Sequence, residues 1–143
     1  MFRYMLYNGL NDDLNSLAKF VYIYADEIQS LKKEKEFGSK YPNAYKVFKN
    51  KLQRNMKFAT CKEIANLKEE KKHTLFFTGS KAQTIELCRH LRNSFSHGLL
   101  NNQSSQLMIF DKDKGSYTSK GYLNCNDVKE FIEGIIKDYE SDK

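Results

Sequence analysis

The stretch Glu86-Leu-Cys-Arg89-His90-Leu91-Arg92-Asn93-Ser94-Phe95-Ser96-His97-Gly98 gathers side chains that can hold phosphate and move protons. An arginine such as Arg92 is always charged and presents a planar fork of donors that matches phosphate oxygens. A histidine such as His97 exchanges a proton near neutral pH. The Asn93 amide can orient His97 or hold a phosphate oxygen. The chain is otherwise lysine-rich: of its 24 basic residues only four are arginine, and it has three histidines. Two of those arginines and two of those histidines fall in this one stretch, so the scarce residue types mark it out.

A helix must position them. Ser80-Lys-Ala-Gln83 spells a capping box, which predicts a helix from Lys81 to about His97, before Gly98. On that helix Ile85, Cys88, Leu91 and Phe95 form an apolar face, and Glu86, Arg89, His90, Asn93 and His97 gather on the opposite one. Asn93 and His97 lie about 40° apart and can touch. Arg92 and His97 lie about 140° apart, so one helix does not simply present that pair. The Arg92 side chain must bend round, the helix end must unwind at His97, or a second subunit must complete the site. Arg89 and His90 share the His97 face and suit substrate phosphates; a solvated, salt-bridged surface is the alternative for them. With Gly98 ending the helix, the helix dipole favours protonated His97 by about 0.3 to 1 kcal/mol.

The other elements read mostly as helices. Leu14, Leu17, Ala18, Val21, Ala25, Ile28 and Leu31 have helical spacing, which predicts a long first helix of about seven turns. Asn11 or Asp12 would cap it and Gly38 would end it. A second helix follows Pro42, with Ala44, Val47, Phe48 and Leu52 on one face. Thr60-Cys-Lys-Glu63 is a capping box for a short third helix carrying Ile64 and Leu67. Thr74 to Thr78 is an apolar run, either extended or a loop tucked into the core. Asn101 to Ser105 reads as a polar loop, and a β-hairpin follows over about 106–123. Asp111-Lys-Asp-Lys-Gly115 supplies its turn; the loop lacks the third acidic ligand and the glutamate of a calcium site. Asn126 would cap a final helix over about 127–140, with Val128, Phe131, Ile132, Ile135, Ile136 and Tyr139 on one stripe. The expected architecture is mainly α: one domain over 1–143, a bundle of about five helices with a small hairpin before the last.

Bulk composition excludes several classes. A chain of 143 residues with 40% hydrophobic residues and a single proline is neither disordered nor collagen-like. The three cysteines, Cys61, Cys88 and Cys125, are odd in number and form no metal-ligand pattern, so each is expected to be a small buried hydrophobe in a reducing compartment. No leader pattern and no membrane span are read, and a cytoplasmic location is expected. The net charge of +6 suits an anionic partner, but much of the lysine excess sits in mixed runs such as KKEKE (32–36) and KEEKK (68–72), which read as solvated helix faces. His73, beside the second run, reads as an exposed residue.

The pattern Arg92-Asn93-Ser94-Phe95-Ser96-His97-Gly98, late in a helical chain of this length, resembles the Arg-x4-6-His signature of the HEPN superfamily, including the polar residue directly after the arginine. That resemblance implies a helical fold along most of the chain and a metal-independent endoribonuclease without cofactor. Such an enzyme acts as a homodimer whose motifs line one cleft. RNA is then cut by attack of its own 2′-hydroxyl. A proton leaves that hydroxyl, a proton reaches the departing 5′-oxygen, and the crowded phosphorane is stabilised. Arg92, His97 and Asn93 are the implied catalytic residues, Arg89 and His90 substrate contacts. A toxin or antiviral defence effector with an antitoxin or regulatory protein is one setting; a non-catalytic nucleotide-, RNA- or protein-binding module of the same type is the alternative.

Overall fold

A computed structural model describes residues 14–67, 74–79, 82–96, 100–103 and 106–141. In chain order they form α1 (Leu14–Asp26), α2 (Glu34–Lys40), α3 (Pro42–Val47), β1 (Met56–Phe58), α4 (Cys61–Ala65), β2 (Leu75–Phe77), α5 (Gln83–Ser96), β3 (Leu100–Gln103), β4 (Gln106–Asp113), β5 (Ser116–Asn124) and α6 (Cys125–Ser141). The protein is mainly helical, as expected, but its strands amount to more than one hairpin. They form a five-stranded sheet in the order β1-β2-β5-β4-β3, with β1 and β2 parallel and the other neighbours antiparallel.

The expected seven-turn first helix is broken. α1 ends at Asp26, Ile28–Ser30 form a single 3-10 turn, and Leu31 is extended before α2 begins. Local polar side chains take over the helical hydrogen bonds. Gln29 and Ser30 donate to the carbonyls of Ala25 and Glu27, and Glu36 accepts the amides of Lys32 and Lys33 at 2.9 and 3.0 Å. Gly38 therefore lies inside α2 rather than at a helix end. The Asn11 and Asp12 caps lie outside the described residues.

Other expectations hold where the signal is local. Pro42 opens α3, which runs on through a wider π turn over Phe48–Leu52. The Thr60 box caps α4: the Thr60 hydroxyl accepts from the Glu63 amide at 3.2 Å and Glu63 accepts from the Thr60 amide at 2.9 Å. Leu67 falls just beyond that helix. The apolar run at 74–78 is a strand, since Leu75 and Phe77 are buried and Phe76 between them is not. Asn101 to Gln103, expected in a loop, pair with β4 instead. β3 is an edge strand, where polar residues are tolerated without an apolar alternation; Ser104 and Ser105 lie outside the described residues. The hairpin turn narrows to Lys114-Gly115, both with positive φ (53° and 84°), the geometry of a two-residue turn between twisted strands.

The core is aromatic. Phe37, Tyr41, Phe48 and Phe131 are fully buried, with Phe37 stacked on Phe131 at a centroid distance of 6.0 Å. α6 buries Val128, Phe131, Ile132 and Ile135 as its spacing demands. Its first turn is capped by Asn124, which accepts from the Asp127 amide at 3.1 Å, and not by Asn126. Near its far end the buried carboxylate of Asp138 accepts the amides of Asn43 and Ala44 at 2.8 and 3.2 Å and the Asn43 side chain at 2.6 Å. It thereby satisfies the free donors at the start of α3 from across the core. Cys88 and Cys125 are buried free thiols, both pushed up by burial, Cys125 to about 11, whereas Cys61 is only partly buried. Among the described residues no helix is long and apolar enough to cross a membrane.

Because Asp138→Ala leaves the α3 amides without an acceptor in a buried place, it is expected to cost about 1 to 3 kcal/mol in urea unfolding. A loss within 0.5 kcal/mol, roughly that of a surface change, would refute this cap.

Candidate active site

α5 is held at its start by another helix. The Thr84 amide donates to Glu34 Oε1 of α2 at 3.0 Å, and the Thr84 hydroxyl donates to the same oxygen. One glutamate of the KKEKE run is thus turned inward rather than solvated. The expected Ser80 cap and Lys81 lie outside the described residues. α5 packs against α1 and α2 on one side and β4 on the other. Ile85, Cys88 and Leu91 are buried as expected, but so are Leu87, Glu86, His90 and Ser94. Of the polar face read from the sequence, Glu86 and His90 are therefore enclosed, while Arg89 and Asn93 are half-buried.

His90 stands at the centre of that face and is 0% exposed. Its Nδ1 lies 3.0 Å from Asp111 Oδ2 on β4, and its Nε2 lies 2.9 Å from the Thr78 carbonyl after β2. Its Nε2 also lies 3.3 Å from Arg89 Nη2, so both ring nitrogens are taken up by partners within the protein. The solvated alternative for His90 fails for this reason. Arg89 donates through Nε to Glu86 Oε1 at 2.7 Å and through Nη2 to the Thr78 carbonyl at 3.2 Å, with one third of its side chain exposed. Glu86 itself is buried, and its carboxylate lies against Gly79: a Cβ there would meet Glu86 Cδ at 2.1 Å. With its φ of +151°, Gly79 is a position that only glycine fits.

A second chain of bonds runs from the same carboxylate towards the motif. Asn93 Nδ2 donates to Asp111 Oδ2 at 3.2 Å, and Arg92 Nη1 donates to Asn93 Oδ1 at 3.2 Å. Asp111 thus fixes which way the Asn93 amide points, and the amide oxygen then receives the arginine. The Ser94 hydroxyl donates to the Phe110 carbonyl and ties the next residue of α5 to β4. Pairing between β4 and β5 shifts between Asp111 and Lys112, so Asp111 lies opposite a bulge in β5. Thr118, left over by the shift, donates to the Asp111 carbonyl at 3.3 Å.

Burial opposes ionisation of Asp111, but hydrogen bonds from His90, Asn93 and Thr118 outweigh it and hold the carboxyl below its ordinary range. Tyr24 of α1 is pushed up by burial, with the charges of Arg89 and Arg92 acting in the opposite direction. Of the residues singled out in the sequence, Arg92 and Asn93 are half-buried and bonded to each other, Arg89 reaches the surface, and His90 is enclosed. His97, Gly98 and His73 lie outside the described residues. Asp111, Glu86 and Glu34 were not read as part of this site. An acidic residue just before a run of alternating charge reads as part of the turn, so Asp111 gave no signal of burial. Among the described residues no cluster of three or more histidine, cysteine or acidic side chains could hold a metal ion.

Comparison with known proteins identifies the family of the chain. The family model HEPN pEK499 p136 matches residues 5–143, and the chain belongs to this HEPN family. No curated protein and no solved structure matches the chain.

A depressed carboxyl stabilises the fold above its unfolded value and loses that contribution as pH falls through the folded one. Asp111→Asn is therefore expected to lose about 1 to 3 kcal/mol at pH 7, with the gap to wild type closing below about pH 4 in urea unfolding. A gap of the same size at pH 7 and pH 3 would contradict a charged Asp111.

Proposed function

We propose that this chain is a metal-independent endoribonuclease of the HEPN type, working as a homodimer and cutting RNA by attack of its own 2′-hydroxyl. Membership of a superfamily whose members are generally nucleases or RNA-binding proteins supports the substrate class. The observation that carries the reading is the fixed pair at the end of α5: Asp111 holds the Asn93 amide and Asn93 holds the Arg92 guanidinium, just before His97 in sequence. Pre-set donors cost no reorganisation when charge develops, which is how a protein stabilises a phosphorane without metal.

In this reading the bond from the 2′-oxygen to phosphorus forms as the bond to the 5′-oxygen breaks. His97 carries the proton transfer and Arg92 takes the charge of the equatorial oxygens. Asn93 orients its neighbours. Arg89, one third exposed, is the residue of the Arg89 and His90 pair that meets a flanking phosphate, while His90 anchors Asp111. A second subunit brings its own motif to the cleft and resolves the angular mismatch between Arg92 and His97. A role as a toxin or antiviral effector in the cytoplasm, restrained by an antitoxin or regulatory protein, fits such an activity.

RNA incubated with the protein in EDTA is expected to be cut and to carry 2′,3′-cyclic phosphate ends. His97→Ala or Arg92→Ala should each slow cleavage by about 10²- to 10⁴-fold while thermal melting stays near wild type. Cleavage that needs a divalent ion, or undiminished activity in both variants, sinks the mechanism. Salt-dependent RNA binding without any cleavage would instead favour the non-catalytic binding module.

A further inference from the structure

On the other face of the hairpin lies a group of rings and lysines that the site above does not use. Side chains alternate along a strand, so Phe110 and Lys112 flank Asp111 on β4 and point away from α5. Phe110 and Tyr117 meet edge to face with centroids 5.9 Å apart. Lys112 Nζ stands 4.6 Å from the Tyr117 centroid, and Lys120 Nζ stands 5.3 Å from that ring and 5.8 Å from Phe110. The row continues across the sheet. Lys57 of β1, Phe76 of β2, Lys120 of β5 and Phe110 of β4 are successive ladder partners, so cation and ring alternate over four strands. Lys57, Lys112 and Lys114 are exposed; Phe76, Phe110, Tyr117 and Lys120 are half-buried. Asp113 is the exposed acid of the turn, whereas Asp111 faces inward.

The chemistry of this face selects its partner. Lysines in and around the ring cluster make it unfit for an apolar surface and attractive to an anion. Flat rings within reach of cations match a chain of stacked bases joined by phosphates, with each base on a ring and each lysine free to turn from ring to phosphate. A duplex hides the base faces, so the strand must be single. We propose that the outer face of the β4–β5 hairpin is a binding platform for single-stranded RNA, with bases on Phe110 and Tyr117 and phosphates on Lys112 and Lys120. The proposal rests on RNA being the ligand of this chain, as under Proposed function, but not on its being cut.

The test uses the full chain and a fluorescently labelled 2′-O-methyl RNA of about twelve nucleotides, long enough for one such platform and unable to undergo 2′-hydroxyl attack. Fluorescence anisotropy is expected to show that Phe110→Leu with Tyr117→Leu weakens binding by roughly tenfold or more at an unchanged salt slope. Lys112→Gln with Lys120→Gln should lower the slope of log affinity against log salt by about 1.4. Phe110→Tyr, which keeps a ring on a strand, should bind within about twofold of wild type and guards against a loss that is only structural. Ring variants that melt like wild type and bind like it overturn the platform, as does equal affinity for a duplex of the same length. If the platform variants behave as expected but wild-type protein never cuts unmodified RNA, the nuclease reading fails and the platform stands. If wild type cuts and the ring variants cut with the same KM, the platform fails and the nuclease reading stands.

Discussion

A carboxylate buried between a sheet and a helix must be dehydrated, and the interactions that offset this cost decide how the two elements sit. Asp111 is 2% exposed and is satisfied from α5 by His90 at 3.0 Å and Asn93 at 3.2 Å. Removing a partner from such a group is far more costly than the bond is worth in water, so β4 and α5 are locked in one relative position. The surrounding devices serve that lock. Thr118, at the bulge in β5, donates to the Asp111 carbonyl, the Thr78 carbonyl takes the other nitrogen of His90, and Gly79 leaves room for the Glu86 carboxylate that holds Arg89.

For the proposed reaction that lock matters because it reaches Arg92 through a single amide. Asn93 has one end on Asp111 and the other on Arg92, so the sheet determines where the Arg92 guanidinium starts from. A long, flexible cation that must be ordered on binding loses affinity to that ordering. One that is already bonded through a rigid neighbour is closer to the geometry that developing phosphate charge requires. The same hairpin then carries different chemistry on its two faces, the Asp111 carboxylate inward, rings and lysines outward.

Much of the frame was legible in the sequence, and the reasons for the failures are specific. The stripe of α6, the Thr60 box of α4, the apolar side of α5 and the hairpin all rest on signals within a few residues, and all of these elements are present. The motif stretch was found because arginine and histidine are scarce in this chain. The break after Asp26 was hidden because Ile28 and Leu31 keep helical spacing while Gln29, Ser30 and Glu36 take over the backbone hydrogen bonds. The first and third strands were hidden by shortness and polarity. For the site, the sequence could show that Asn93 and Arg92 are neighbours, but not that Asp111, 18 residues later, joins them. That contact depends on a register shift in the hairpin, which periodicity does not encode. The burial of His90 was missed for the same reason, since its partner comes from the sheet.

The dependence of the motif on the buried carboxylate is open to a direct measurement: a double-mutant cycle on single-turnover RNA cleavage with Asp111→Asn and Asn93→Ala. If Asp111 acts through Asn93, each change slows cleavage and the double variant is no slower than the worse single one. If the two costs multiply, Asp111 and Asn93 act independently, and the sheet does not set the position of Arg92.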